Sequence, residues 1–108
     1  YRTVCILNQG AVMFFVSVQY QQPLEVVDSL LPAHIAFLDT YYAKGIFIAS
    51  GRKVPRTGGV ILACGITRTD LEEILGKDPF KSNGVADYQI TEFVPNQTAP
   101  GFTQLLNL

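Results

Sequence analysis

Residues 30–45 read LLPAHIAFLDTYYAKG, and within them stands His34, the one histidine of a 108-residue chain. Imidazole is the side chain whose unperturbed pKa lies nearest neutrality, so it can take up and return a proton at working pH. A carboxylate able to accept the other ring proton would fix its tautomer and stabilise the imidazolium form. Asp78, in KDPF, is the candidate for that role. Each residue also has an ordinary explanation. A lone histidine often serves as a structural imidazole bonded to a backbone group, and Asp before Pro is a favoured helix cap whose carboxylate bonds the next turn. The residues alone leave both pairs of readings open.

Other side chains could complete a binding site. Ser50 follows the apolar run IFIA, where it can rim a pocket and hold a substrate oxygen. No G-x-S-x-G elbow surrounds it, so hydrolysis by a Ser-His-Asp set is the lesser option. Arg52, Lys53 and Arg56 fall in the turn-rich GRKVPRT. Arg52 and Arg56 are placed at the pocket mouth, where a guanidinium suits a carboxylate or phenolate, and Lys53 is read as a solvated loop residue. TGG at 57–59 lacks the Walker spacing and reads as a tight approach to a strand. Among Tyr41, Tyr42, Phe80 and Tyr88, Phe80 is assigned to the pocket wall and the rest to core or interface. Glu92, on the side of Tyr88, Ile90 and Val94, must face solvent, pair, or titrate high; a paired interface carboxylate is expected.

The elements that would position these residues follow from hydrophobic period. Residues 12–20 alternate with a period of two, a first strand. From Pro23 the period turns helical, with Leu24, Val27, Leu31, Ile35, Leu38 and Tyr42 on one stripe and Gly45 as the stop. Pro32 kinks this helix or starts a second one. His34 then falls in a first turn at the edge of the packed stripe, partly buried, where a helix N-terminus would favour its neutral form. IFIAS and GGVILACG read as two strands of a hairpin. Thr67 or Thr69 caps a helix through DLEEIL that Gly76 closes, Asp78 caps a short turn at 79–83, and VADYQITEFV is a last strand.

The order β-α-β-β-α-β predicts an α+β, ferredoxin-like monomer, a four-stranded antiparallel sheet with both helices on one face. The other sheet face, rich in aromatic and branched residues, calls for a second copy, so a homodimer or higher homo-oligomer is expected. Residues 1–12 are read as an N-terminal extension, native or added in cloning, 13–95 as the domain and 96–108 as a C-terminal tail.

Eight Lys plus Arg stand against nine Asp plus Glu with no basic run, so nucleic acid is not an expected partner. The apolar stretches fall far short of the roughly 20 residues that span a bilayer, so no membrane association is expected. Cys5 and Cys64 are far apart and belong to no ligating cluster; they read as free thiols, which points to a reducing cytoplasm and no metal.

The segments FVSVQY, LLPAHIAFLDTYYAKGIFIASG, RTGGVIL and DPFKSNGVADYQITEF, in this order, resemble the YciI-like (YCII-related) family from about Met13 to Pro95. The Pro-Ala-His helix, the Ala-Ser-Gly strand end and the Asp-Pro-Phe turn carry the resemblance. It implies a dimeric α+β barrel built from ferredoxin-like monomers, and a catalytic pair that falls on His34 and Asp78. The activity it implies is lyase-type, elimination of chloride from a chlorinated hydroxyhydroquinone; related dimeric barrels include muconolactone isomerases. One departure stands out: Arg52 occupies a position where relatives usually have proline, so the pocket edge here gains a charge.

The sequence therefore predicts a small-molecule enzyme without metal or organic cofactor, performing lyase- or isomerase-type proton transfer. His34 and Asp78 are the catalytic pair, and Ser50, Arg52, Arg56 and Phe80 bind substrate. The alternative is a non-catalytic ligand-binding or interaction module on the same barrel.

Overall fold

A computed structural model describes residues 12–102. The elements run β1 (Met13–Tyr20), α1 (Leu24–Ala43), β2 (Phe47–Arg52), β3 (Gly58–Cys64), α2 (Arg68–Leu75), α3 (Pro79–Ser82) and β4 (Ala86–Phe93). The four strands form one antiparallel sheet in the order β2-β3-β1-β4, the ferredoxin-like arrangement that the periodicity implies.

Strand alternation decides the core. On β1, Phe14, Val16 and Val18 are buried against the helices together with Ile61 and Ala63 of β3 and Phe47 of β2. Val27, Phe37 and Tyr41 of α1, Leu71 and Leu75 of α2, and Phe80 of α3 close the same cluster from above. All three helices thus lie on one sheet face, and the antiparallel register stacks Val18 between Gly59 and Tyr88 in one cross-strand row. Gly58 makes the β1–β3 approach possible, because a Cβ there would lie 1.8 Å from the Val18 carbonyl oxygen.

Helix ends follow the residues singled out for them. Gly45, at φ 76°, closes α1 with Gly45 N–H to Tyr42 O and Ile46 N–H to Tyr41 O, the paired bonds of a Schellman ending. Thr67, rather than Thr69, caps α2 by accepting the Asp70 N–H at 3.1 Å. Asp78 caps α3 and accepts the Phe80 N–H at 3.0 Å.

Several expectations need correction. Helix α1 runs as one piece from Leu24 to Ala43 with Pro32 inside it, so no second helix begins there. Proline removes one i→i−4 bond and crowds the carbonyl four residues before it, and α1 accommodates both without ending, with Leu30 and Leu31 packed against the core beside it. The buried face is set by Val27, Phe37 and Tyr41, while Leu24 and Ile35 of the predicted stripe are exposed. Strand β2 continues through Gly51 and Arg52, which places Arg52 on a strand instead of in the hairpin loop. Cys64 is disulfide-bonded, not a free thiol, and the case for a reducing compartment loses that premise; Cys5 lies outside the described residues.

The sheet face away from the helices is divided. At one end Phe15 and Phe93 are each 40% exposed, beside Met13 and Cys64, which are buried with Ile48. Toward the other end the same face carries Ser17, Gln19, Asp87 and Gln89, and Lys53 donates to Ser17 Oγ at 2.9 Å rather than standing free in solvent. Glu92 is exposed, which resolves its three alternatives in favour of solvent within the monomer. Among the described residues no helix is long and apolar enough to cross a membrane.

Candidate active site

The buried face of α1 carries His34 ten residues past Leu24, well inside the helix, so neither the expected first-turn position nor the influence of a helix N-terminus applies. Its spacing from Val27, Leu31, Leu38 and Tyr41 keeps it over the sheet. The side chain is 13% exposed, against 0% for Asp78. His34 Nδ1 lies 2.8 Å from Asp78 Oδ1. The imidazole also lies flat on the Phe80 ring, with centroids 4.0 Å apart and planes inclined by 5°.

The local sequence explains how the carboxylate arrives there. Gly76 ends α2, Asp78 and Pro79 start α3 at once, and the short helix carries Phe80 into the core directly beneath the imidazole. Oδ1 accepts from both the Phe80 N–H and His34, and Oδ2 accepts from the Tyr88 hydroxyl on β4. The capping and histidine-orienting readings of Asp78 are therefore compatible: one oxygen takes both. A carboxylate can only accept, so Nδ1 carries the proton in this bond and Nε2 is the ring nitrogen left without a partner among the described residues; His34 lines a cavity.

That cavity has a volume of about 380 Å³, at the small end for ligand sites. Its floor and walls are apolar, with Val18, Leu31, Ile35, Leu38, Ile61 and Phe80 contributing. The polar groups at its margin are those expected from the sequence: Ser50, Arg52 and Arg56. Ser50 Oγ and Tyr42 Oη are 2.6 Å apart. Arg56 Nη2 donates to Asp28 Oδ1 at 2.5 Å, and its guanidinium lies 5.9 Å from the Tyr20 ring centre. All six predicted site residues thus fall in or directly behind one hollow. Among the described residues no group of three or more His, Cys, Asp or Glu could hold a metal ion.

Sequence reasoning missed Tyr88 and Asp28. Tyr88 was assigned to the packed aromatics, yet its hydroxyl meets the Asp78 carboxylate. The sequence signal was limited to its place on one side of VADYQITEFV with Ile90; the meeting with Asp78 depends on where β4 docks beside β1. Asp28, six residues before His34, neutralises Arg56. Burial, then the negative charge of Asp78, then the hydrogen bond to it push the Tyr88 phenol well above the ordinary tyrosine range. A group whose pKa is raised on folding contributes stability below its unfolded value and loses that contribution as pH rises. The window here opens at about pH 10, where an unfolded tyrosine ionises. Denaturation followed across pH 9–11 should show stability falling above about pH 10 more steeply in the wild type than in Tyr88→Phe, by up to about 1.4 kcal/mol per pH unit. Equal slopes in the two proteins would show that Tyr88 is not held protonated by the fold.

Among solved structures, the chain is similar to the 5-chloro-2-hydroxyhydroquinone dehydrochlorinase (TftG) from Burkholderia phenoliruptrix AC1100 in complex with 2,5-dihydroxybenzoquinone. The two are 17% identical, and the match covers 73% of this chain and 90% of that one with a TM-score of 0.65. At that identity the likeness is one of fold. No curated protein matches the chain. The model of the YCII-related domain, however, matches residues 13–94, from the first residue of β1 to just beyond β4, and by that match the chain belongs to the YCII-related family.

Proposed function

We propose that this protein is a small-molecule enzyme in which His34 moves a proton to and from a carbon of the substrate, oriented by Asp78. The observation that carries this reading is the 2.8 Å contact between His34 Nδ1 and a fully buried Asp78, beside a cavity that the same imidazole lines. A carboxylate that accepts from Nδ1 orients the ring and fixes its tautomer, so that Nε2 is the nitrogen able to accept a proton. Phe80 holds the ring in plane, and Tyr88 and the Phe80 N–H hold the carboxylate.

The step balances without a further reactant. Nε2 takes a proton from an acidic C–H, the electron pair of that bond becomes the new π bond, and a leaving group departs with its own pair. The proton then passes from Nε2 to water. If no group leaves, the proton returns to another carbon and the outcome is isomerisation. The dehydrochlorinase with the same fold acts on a chlorinated hydroxyhydroquinone, which makes elimination from small, enolisable rings the chemistry to test first.

The test is proton exchange and chloride release in D₂O, followed by NMR over a panel of enolisable rings that includes 5-chloro-2-hydroxyhydroquinone. For a compound that the wild type turns over, His34→Gln should lower the rate by about 10²–10⁴-fold at temperatures where circular dichroism shows the variant still folded, with a stability loss of about 1–3 kcal/mol from the weakened donation to Asp78. A variant that keeps full activity on that compound contradicts the assignment. A ligand bound without any exchange would favour the non-catalytic binding module instead.

The assembly we infer is a homodimer through the sheet face away from the helices. Support comes from its apolar end, where two phenylalanines, each 40% exposed, would otherwise face water. Phe15→Glu, which places a charge in that patch, should shift the protein to monomer by light scattering. A wild type that is monomeric at micromolar concentration would contradict the assembly.

A further inference from the structure

Asp78 lies behind His34 and is met by its own three donors, so the charges that remain at the cavity margin are those of Asp28, Arg52 and Arg56, and these do not cancel. Arg56 is neutralised by Asp28 in a direct ion pair. Arg52, the other guanidinium in the lining, has no ion-pair or hydrogen-bond partner among the described residues. Its position is set by the sheet. Arg52 pairs with Gly59 and Ser50 with Ile61, so both side chains share the helix-covered face, two residues apart on β2. Opposite Arg52 there is no side chain to meet, because Gly59 sits there and a Cβ on it would come within 2.8 Å of the Gly51 carbonyl oxygen. Next to it, the contact between Tyr42 and Ser50 hydroxyls lets one proton serve the pair and frees another to point at a ligand oxygen.

We infer that the substrate is a small organic anion, with an acidic oxygen held by Arg52 and Ser50 at the β2 edge and a ring-sized apolar body over Val18, Leu31, Leu38 and Ile61. This rests on the proposed function for the direction of the ligand, since it places the carbon to be deprotonated on the His34 side. Arg52 and Ser50 are exposed at the cavity rim, where an unpaired guanidinium attracts an anion in a salt-dependent way and its planar fork matches a carboxylate or a phenolate. The volume of about 380 Å³ limits the body to about one ring. Arg52 is thus a specificity-determining residue that selects charge, while His34 handles the proton.

The experiment titrates the full chain with benzoate and with benzamide, a neutral probe of nearly the same shape, by ligand-detected NMR at low salt. Benzoate should bind at least about 10-fold more tightly than benzamide in the wild type, and the preference should weaken with added salt. In Arg52→Gln the preference should fall below about 3-fold with benzamide binding unchanged, and Arg52→Lys should restore part of it. Benzoate binding no tighter than benzamide, no measurable benzoate binding, or a preference that survives Arg52→Gln overturns the inference. His34→Gln keeps the preference if Arg52 is its source, so a failure of the proton-transfer reading and a failure of this one give different results.

Discussion

A carboxylate with no exposure to water and three donors upon it is the constraint around which this fold is arranged. Burying an ion costs several kcal/mol unless its lone pairs are met, and removing one partner of such a set leaves the charge uncompensated. Asp78 meets that demand with groups from three elements: the His34 ring from α1, the Phe80 amide from α3 and the Tyr88 hydroxyl from β4. Helix α1, the α2–α3 turn and the edge strand must therefore all be in register before the carboxylate is satisfied. The same set that stabilises the charge also fixes which nitrogen of His34 is left without a partner among the described residues. Under the proposed function, stability and chemistry are coupled at one residue.

The surrounding packing serves that geometry. Phe80 belongs to the buried core and at the same time forms the surface against which the imidazole lies, so its ring position is fixed by both. Phe37 packs on Tyr41 and Phe47 and lies 6.4 Å from the imidazole centre on α1 itself. Rigid aromatic neighbours cost little conformational entropy on ordering and leave His34 few alternative rotamers. The charged residues of the lining other than His34 are Asp28, Arg52 and Arg56, of which Arg56 is held by Asp28.

Much of this was legible in the sequence because period and punctuation are local signals. Alternation over 12–20 and 85–94, Gly45, Thr67, Gly76 and Asp78 announced element order and ends, and the antiparallel sheet followed from them. The residues of the site were legible as types: a lone imidazole and an Asp-Pro turn. What failed was three-dimensional. Pro32 gave a local argument for a break that the packing of α1 overrides, and with it went the first-turn position of His34. Of the stripe, Val27, Leu31, Leu38 and Tyr42 pack on the core while Leu24 and Ile35 do not, because Phe37 and Tyr41, which contact Phe47 of β2, widen the buried face on its other side. Arg52 was placed in a loop since glycine and arginine weaken a strand pattern, yet pairing with Gly59 extends β2 to include it. Tyr88 could not be joined to Asp78 from spacing, for their contact depends on where β4 docks beside β1. The fate of Cys64 depended on a pairing that no local pattern encodes.

The central claim is that Asp78 holds the proton of His34 on Nδ1 and so presents an unprotonated Nε2 to the cavity. Because the chain has one histidine, a long-range ¹H–¹⁵N NMR spectrum of the uniformly labelled protein contains a single imidazole to assign. Recorded at a pH where that ring is neutral, it should show the Nδ1–H tautomer, and Asp78→Asn should shift the population toward Nε2–H. A wild-type spectrum dominated by the Nε2–H form, with Nδ1 unprotonated, would contradict the account.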